Sequence, residues 1–185
     1  MARSVPAQVL ADVSSLPRRL FKRVRSYGAI AVDNHLQRKI AASFPATSYV
    51  EVLAELHAVL RPRAYLEIGV AEGDTLALSE APVSVGVDPG FSIRKELTGT
   101  TYAIHRETSD AFFARPDDGR RYDLIFVDGL HHFDQALRDI LNAEARATPG
   151  AVIAVHDVLP VAAVMQTRRR LTRVWSGDVW KVVPA

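Results

Sequence analysis

Asp128-Gly129-Leu130-His131-His132 and His156-Asp157 put two carboxylates and three of the chain's six histidines into two short segments. Carboxylate and imidazole groups together can take a proton from a hydroxyl or hold a divalent cation that lowers the pKa of a bound oxygen. Both options are open here. Asp128 and either His131 or His132 form a candidate acid–base pair, and Asp128, His156 and Asp157 form a candidate metal set. Two carboxylates suit magnesium or manganese, whereas an imidazole shifts preference toward manganese, iron or zinc. A plainer role for Asp128 is an acid at the start of the helix expected from Phe133, where the helix dipole favours negative charge.

A second group lies earlier. Glu67-Ile68-Gly69-Val70-Ala71-Glu72-Gly73 is an acid followed by two glycines four residues apart, and Asp88 stands 19 residues beyond Gly69. Glycines at such a turn let the backbone approach a ligand, and an acid at that distance can accept from ribose hydroxyls. A dinucleotide fingerprint would need glycine at 71 and 74, where Ala71 and Asp74 stand. Glu72 and Asp74 also make the loop electrostatically poor for a pyrophosphate. The pattern suits a ligand with a ribose and a positive charge.

These residues need a scaffold that brings them to one edge. Short apolar runs at Ala64–Ile68, Val83–Val87, Thr101–His105, Tyr122–Val127 and Ala151–Val155 read as buried strands. Helical segments are expected from near Asp74, Ser92, Asp110 and Phe133. The last carries Ala136, Leu137, Ile140, Leu141 and Ala145 on one side and ends at Pro149-Gly150. Alternation of this kind predicts right-handed βαβ units, hence an α/β, Rossmann-like, mainly parallel sheet of about five strands with helices on both faces. In such a sheet the ligand site lies outside the carboxyl ends of the strands. Glu67, Gly69, Gly73, Asp88, Ser109, Asp110, Asp128 and the His156-Asp157 pair all fall at or just beyond those ends.

Upstream, Leu16, Leu20, Phe21 and Val24 recur at helical spacing. Ser48 and Glu51 stand at capping-box spacing before a helix whose apolar face is Val50, Leu53, Leu56, Val59 and Leu60 and which Pro62 stops. Residues 1–60 are therefore expected as an N-terminal helical extension, a lid or an interface, and residues 61–185 as the ligand-binding domain.

The stretch from Ala64 to Val158 resembles the class I S-adenosylmethionine-dependent methyltransferases through YLEIGVAEGDT, VGVDPG, ETSDAFF and YDLIFVDGLHH. It is most similar to the small-molecule O-methyltransferase branch of the methyltransferase domain 24 type, which shares HDVLP and GDVWK. By that resemblance Glu67, Gly69 and Gly73 cradle the methionine part of S-adenosylmethionine, Asp88 holds its ribose, Ser109 and Asp110 border the adenine, and Asp128 closes the site. The implied function is methyl transfer to a hydroxyl of a small molecule, a sugar or natural product. Related enzymes bind a divalent ion with an acid after the fourth strand and an acidic or amide pair after the fifth; His156 departs from that pair. Family members close the sheet with two more strands. After Asp157 only 28 residues remain, and Val161–Arg173 reads as a helix. A shortened chain with an open fifth strand is the expectation, and such an edge invites self-association into a homo-oligomer. Two alternatives follow: a truncated cofactor-binding or assembly module without turnover, and a metal-dependent hydrolase.

Composition bounds the remaining classes. With 185 residues, 48% hydrophobic and 24% charged, the chain reads as one globular domain. It has no cysteine, which excludes disulfides, thiolate metal sites and a cysteine nucleophile. No stretch has a transmembrane or secretory pattern, so a cytoplasmic protein is expected. The net charge of +2 hides an uneven distribution: residues 26–167 carry 12 basic and 19 acidic side chains, while both ends are basic. A nucleic-acid footprint on the central domain is not expected. Arg168–Arg170 reads as an exposed charged face, with an anion site as the alternative.

Overall fold

The computed structural model describes residues 18–43 and 48–183. Helices α1 (Arg18–Ser43) and α2 (Tyr49–Leu60) precede strands β1 (Ala64–Ile68), β2 (Val83–Val87) and β3 (Thr101–His105). Helix α3 (Ser109–Phe113), strand β4 (Tyr122–Val127), helix α4 (Phe133–Ala145) and strand β5 (Ala147–Val155) follow. All neighbouring strands pair in parallel, in the order β3-β2-β1-β4-β5. The α/β, Rossmann-like architecture is as expected. No further strand follows β5 among the described residues.

Alternate residues of the central strands feed two cores. Leu66, Ile68, Val85, Val87, Ile125 and Val127 pack on one face with Phe112 of α3 and Ala143 of α4. Tyr65, Leu124 and Phe126 pack on the other with Leu53 of α2, and with Val70 and Leu76. Helices thus cover both faces, and α2 belongs to the second core rather than standing apart. The capping box forms as its spacing predicts: Glu51 N–H donates to Ser48 Oγ at 3.2 Å, and Ser48 N–H donates to Glu51 Oε2 at 2.7 Å. Arg61, left-handed at φ 46°, ends the helix just before Pro62. In α1, Leu36 and Asp33 are buried, and Asp33 Oδ1 accepts from the Arg173 amide at 2.8 Å. Leu16 lies outside the described residues, as do the side chains of Leu20, Phe21 and Val24.

Several expected helices take other forms. From Asp74 the chain makes only a 3-10 turn, Leu76–Leu78. No helix starts at Ser92: the Ser92 and Arg94 amides donate to Ala71 and Glu72 carbonyls at 2.8 and 3.0 Å, so this segment runs alongside the glycine loop. Val161–Arg173 contains a 3-10 turn at Ala163–Gln166, where the Met165 amide donates to the Ala162 carbonyl, and is otherwise irregular: the Arg173 amide donates to Asp33 and the Met165 carbonyl accepts from the Ser176 amide. In α4 the buried stripe is Ala136, Asp139 and Ala143, while Leu137 and Leu141 are exposed. The two alanines let the helix approach the sheet closely. Pro149-Gly150 does not end α4, which stops at Ala145. It lies in an irregularity of β5, where pairing steps from Ala147 to Val152 against Tyr122 to Leu124.

Candidate functional site

Register places the site residues in one row. Ile68 pairs with Val87 and with Val127, and Val127 pairs with Val155, so Gly69, Asp88, Asp128 and His156 are the next residues on four adjacent strands. The chain order reverses between β1 and β4, the switch point where open α/β sheets leave a crevice. There Gly69 (φ 93°) presses on β4: a Cβ on it would stand 2.0 Å from the Asp128 carbonyl oxygen. Only glycine fits that approach. The Gly69 amide donates to Val87 O at 2.9 Å and the Asp128 amide to Ile68 O at 2.8 Å, which fixes the three strand ends relative to one another.

Glu67 lies beneath this turn, 0% exposed. Its carboxylate accepts from the Tyr65 hydroxyl and the Thr75 hydroxyl, both at 2.7 Å, and neither oxygen opens to the strand edge. Burial raises its pKa to about 7 against these two hydrogen bonds, with Asp128 and Asp88 adding to the rise. Asp88 is likewise committed to backbone. Its Oδ2 accepts from the Val70 and Ala71 amides at 3.0 and 2.9 Å, and Oδ1 from the Gly90 amide at 2.6 Å. Three of about four acceptor positions on the carboxylate are filled. Glu72 and Asp74 pair with Arg94 and Lys95 at 3.1 and 3.4 Å, so the loop is less acidic than its sequence alone suggests. Ser109 and Asp110 face α4, where Gln135 Nε2 lies 3.1 Å from each and 3.0 Å from buried Asp139.

The second half of the row is an acid–imidazole cluster. Asp128 Oδ1 lies 3.4 Å from His131 Nε2 and 3.3 Å from His156 Nδ1. Asp157, at a left-handed φ of 62°, approaches His131 Nδ1 at 2.9 Å through Oδ2 and His156 Nδ1 at 3.5 Å through Oδ1. Burial alone would lower both histidines. The flanking carboxylates overcome it and hold His131 at about 10 and His156 at about 9. Burial likewise works against Asp157, yet the two imidazoles bring it to about 2. Proximity does not mean aligned hydrogen bonds: His156 Nδ1 and Asp157 Oδ2 are buried without a hydrogen-bond partner. The Nδ1–H of His131 instead donates to the Trp175 carbonyl at 2.9 Å.

Asp128, His131 and Asp157 each bring one ligand atom within 4.8 Å of the others. A void of about 10 Å³ lies among these residues, His156 and Asp139, comparable to one water or a bare cation. Two orphaned buried atoms beside a void of that size fit a divalent ion. In this group His131 takes the place expected for His156, which stands beside it. His132 does not enter the cluster; it occupies the position before α4 with its ring edge-on to Trp175 at 6.2 Å.

Four further contributors come from distant sequence. Trp175 stacks on His131 with ring centroids 5.1 Å apart, and Tyr49 of α2 lies 4.4 Å from the His156 ring. Asp178 Oδ1 accepts from the Phe133 amide at 2.8 Å and caps α4, the helix-terminal role considered above for Asp128. Gly177 packs so closely that a Cβ would stand 1.7 Å from the His131 carbonyl oxygen. The 175–178 segment is thus strapped over the His131 turn. Its sequence signal was the GDVWK string; Tyr49 had none beyond its place beside a helix cap.

Val155, His156 and Asp157 also border a cavity of about 850 Å³ walled by α1, α2 and the C-terminal segment. Among the described residues no helix is long and apolar enough to cross a membrane. Arg168 pairs with Asp134, and Arg170 donates to the Thr172 and Arg173 carbonyls, so neither is free for an anion.

No curated protein matches the sequence. Among solved structures, the SAH-bound methyltransferase PaMTH1 of Podospora anserina matches with 14% identity over 85% of this chain and 74% of its own, at a TM-score of 0.42. Likeness of that degree carries no argument about the site. A family model described as a methyltransferase domain matches residues 18–158. With that match spanning most of the chain, over a five-stranded parallel sheet whose glycine turn meets Asp128 at the switch point, the chain belongs to the methyltransferase-domain family, the class I S-adenosylmethionine-dependent relationship its strand-end motifs resemble.

Proposed function

We propose that the chain transfers a methyl group from S-adenosylmethionine to a hydroxyl of a small molecule. The observation that carries this reading is the row itself: a glycine turn and Asp88 on one side of the switch point, and a buried acid–imidazole cluster on the other. Methyl transfer from a sulfonium is an in-line displacement, so the protein's work is alignment of the two partners and removal of the acceptor's proton.

The Gly69–Gly73 turn is the surface against which the methionine part rests. Glu67 acts from beneath, holding β1 to the turn through Tyr65 and Thr75 rather than touching the cofactor. Asp88 receives the ribose hydroxyls on its remaining acceptor position and in competition with the Gly90 amide. Ser109 and Asp110, steadied by Gln135, border the adenine. Asp128 lies between the two halves. His156 and Asp157 face the 850 Å³ cavity as well as the cluster, so an acceptor hydroxyl entering from that side meets them first. Asp128, His131 and Asp157 would hold a divalent ion, which would supply a Lewis acid that acidifies the acceptor hydroxyl. Helices α1 and α2 serve as the lid over the acceptor.

The test is the affinity of S-adenosylhomocysteine for Asp88→Ala, read by calorimetry. Loss of a hydrogen bond to a charged group, about 1.5–3 kcal/mol, weakens binding by roughly 10- to 150-fold. Affinity equal to that of the unsubstituted protein would remove Asp88 from the cofactor site.

A further inference from the structure

The cavity beside the cluster has a chemistry of its own. Its volume of about 850 Å³ lies within the ~300–1,000 Å³ of small-molecule sites. Ile40 of α1, Val52 of α2, and Leu159, Met165, Val174 and Trp175 of the C-terminal segment supply apolar wall. Of its polar lining, Ser48 and Glu51 bond each other in the capping box, Ser176 Oγ donates to the Met165 carbonyl, and His156 and Asp157 lie at the cluster, which leaves the Gln37 amide and the Tyr49 hydroxyl as the polar groups of the remaining wall. Among the described residues lining it there is no lysine or arginine, whereas two are acidic. The nearby arginines of 168–170 are not among the lining residues, and Arg168 and Arg170 are bound elsewhere.

We propose that this cavity takes a neutral, largely apolar phenol and rejects anionic and polyhydroxylated molecules. The inference rests on the methyltransferase reading only in calling that ligand the acceptor. A carboxylate or phosphate would be desolvated among apolar side chains and two acids with no lysine or arginine to pair with, and the one imidazole of the lining, His156, already lies between the Asp128 and Asp157 carboxylates. A sugar would bury several hydroxyls against walls that offer few partners, each unpaired group costing affinity. A phenol brings one hydroxyl, to be directed at the His156–Asp157 end, and an aromatic body suited to the Trp175 ring and the Met165 thioether. The sugar acceptor implied by family resemblance does not fit this lining.

The experiment titrates the protein by calorimetry with 4-phenylphenol, 4′-hydroxybiphenyl-4-carboxylate and methyl β-glucoside, and in parallel with S-adenosylhomocysteine. The phenol is expected to bind at least tenfold more tightly than either of the others. Val52→Arg, at a position 44% exposed on α2, should weaken the phenol at least tenfold and strengthen the carboxylate. Leu159→Lys, at an exposed wall position, should do the same and serves if the first variant fails to fold. Carboxylate or glucoside binding as tight as the phenol overturns the proposal, as does phenol affinity untouched by a folded variant. Phenol selectivity without S-adenosylhomocysteine binding would remove the methyltransferase reading and leave the cavity's preference standing. S-adenosylhomocysteine binding with the carboxylate preferred would do the reverse.

Discussion

Gly69→Ala should damage the protein out of proportion to one methyl group. The added Cβ would stand 2.0 Å from the Asp128 carbonyl oxygen, so the β1 and β4 ends must separate by about 1.4 Å or more to reach an ordinary contact of 3.4–4 Å. The Asp128–Ile68 and Gly69–Val87 backbone bonds, at 2.8 and 2.9 Å, resist that separation. A left-handed φ costs alanine about 1–2 kcal/mol, and overpacking a close contact adds roughly 1–3 kcal/mol. At ~2–4 °C per kcal/mol for a chain of this length, a loss near 3 kcal/mol lowers Tm by about 6–12 °C. Gly119→Ala separates the two contributions, because Gly119 has a similar φ of 78° with nothing within 4 Å of its added Cβ. It should lose only the backbone part, about 2–8 °C. Thermal unfolding followed by circular dichroism reads both variants, and S-adenosylhomocysteine affinity should fall in Gly69→Ala alone. Equal drops in Tm would refute the close approach of the two strand ends.

Other expectations follow from single residues. Glu67 is raised to about 7 by burial, so the folded protein binds more protons than the unfolded chain above about pH 4.5; its contribution is fully present below that pH and lost as pH rises through 7. Glu67→Gln removes this dependence, and its chemical-denaturation stability should gain on wild type by roughly 3 kcal/mol between pH 4 and pH 8; parallel curves would contradict the buried carboxyl. Asp178→Ala strips the cap from α4 and should cost about 1–2 kcal/mol in denaturant unfolding, with Asp178→Asn restoring most of it. If Asp128, His131 and Asp157 hold a divalent ion, manganese should raise Tm and chelator should reverse the rise, while Asp128→Asn and Asp157→Asn abolish the response; an unchanged response in either variant would place the ion elsewhere. His57 is buried with no partner for either ring nitrogen, and burial lowers its pKa, so stability should fall as pH drops below about 6.5; a His57→Phe variant should flatten that slope.

Local sequence carried the sheet well and the site in part. The strands were legible because short β-rich runs end in Gly69, Asp88, Asp128 and His156, residues that stop a strand and bear chemistry. Helix α4 was legible as a helix, but its buried face was not: Leu137 and Leu141 outweigh Ala136 and Ala143 in hydrophobicity, while close packing on the sheet favours the smaller pair. Asp88 and Glu67 were found by spacing, yet spacing does not show that one carboxylate binds loop amides and the other two buried hydroxyls. The choice of His131 over His132 depends on Trp175, 44 residues away, and the cap of α4 on Asp178, 45 residues away. No local pattern encodes contacts at that separation.

The measurement closest to the central claim is a calorimetric titration of the purified chain with S-adenosylhomocysteine. The row of Gly69, Asp88 and Asp128 requires one saturable site per chain, weakened by Asp88→Ala and by Gly69→Ala, with tritium from methyl-labelled S-adenosylmethionine appearing in 4-phenylphenol. A protein that is folded by circular dichroism, binds neither S-adenosylhomocysteine nor S-adenosylmethionine and transfers no label would contradict the account.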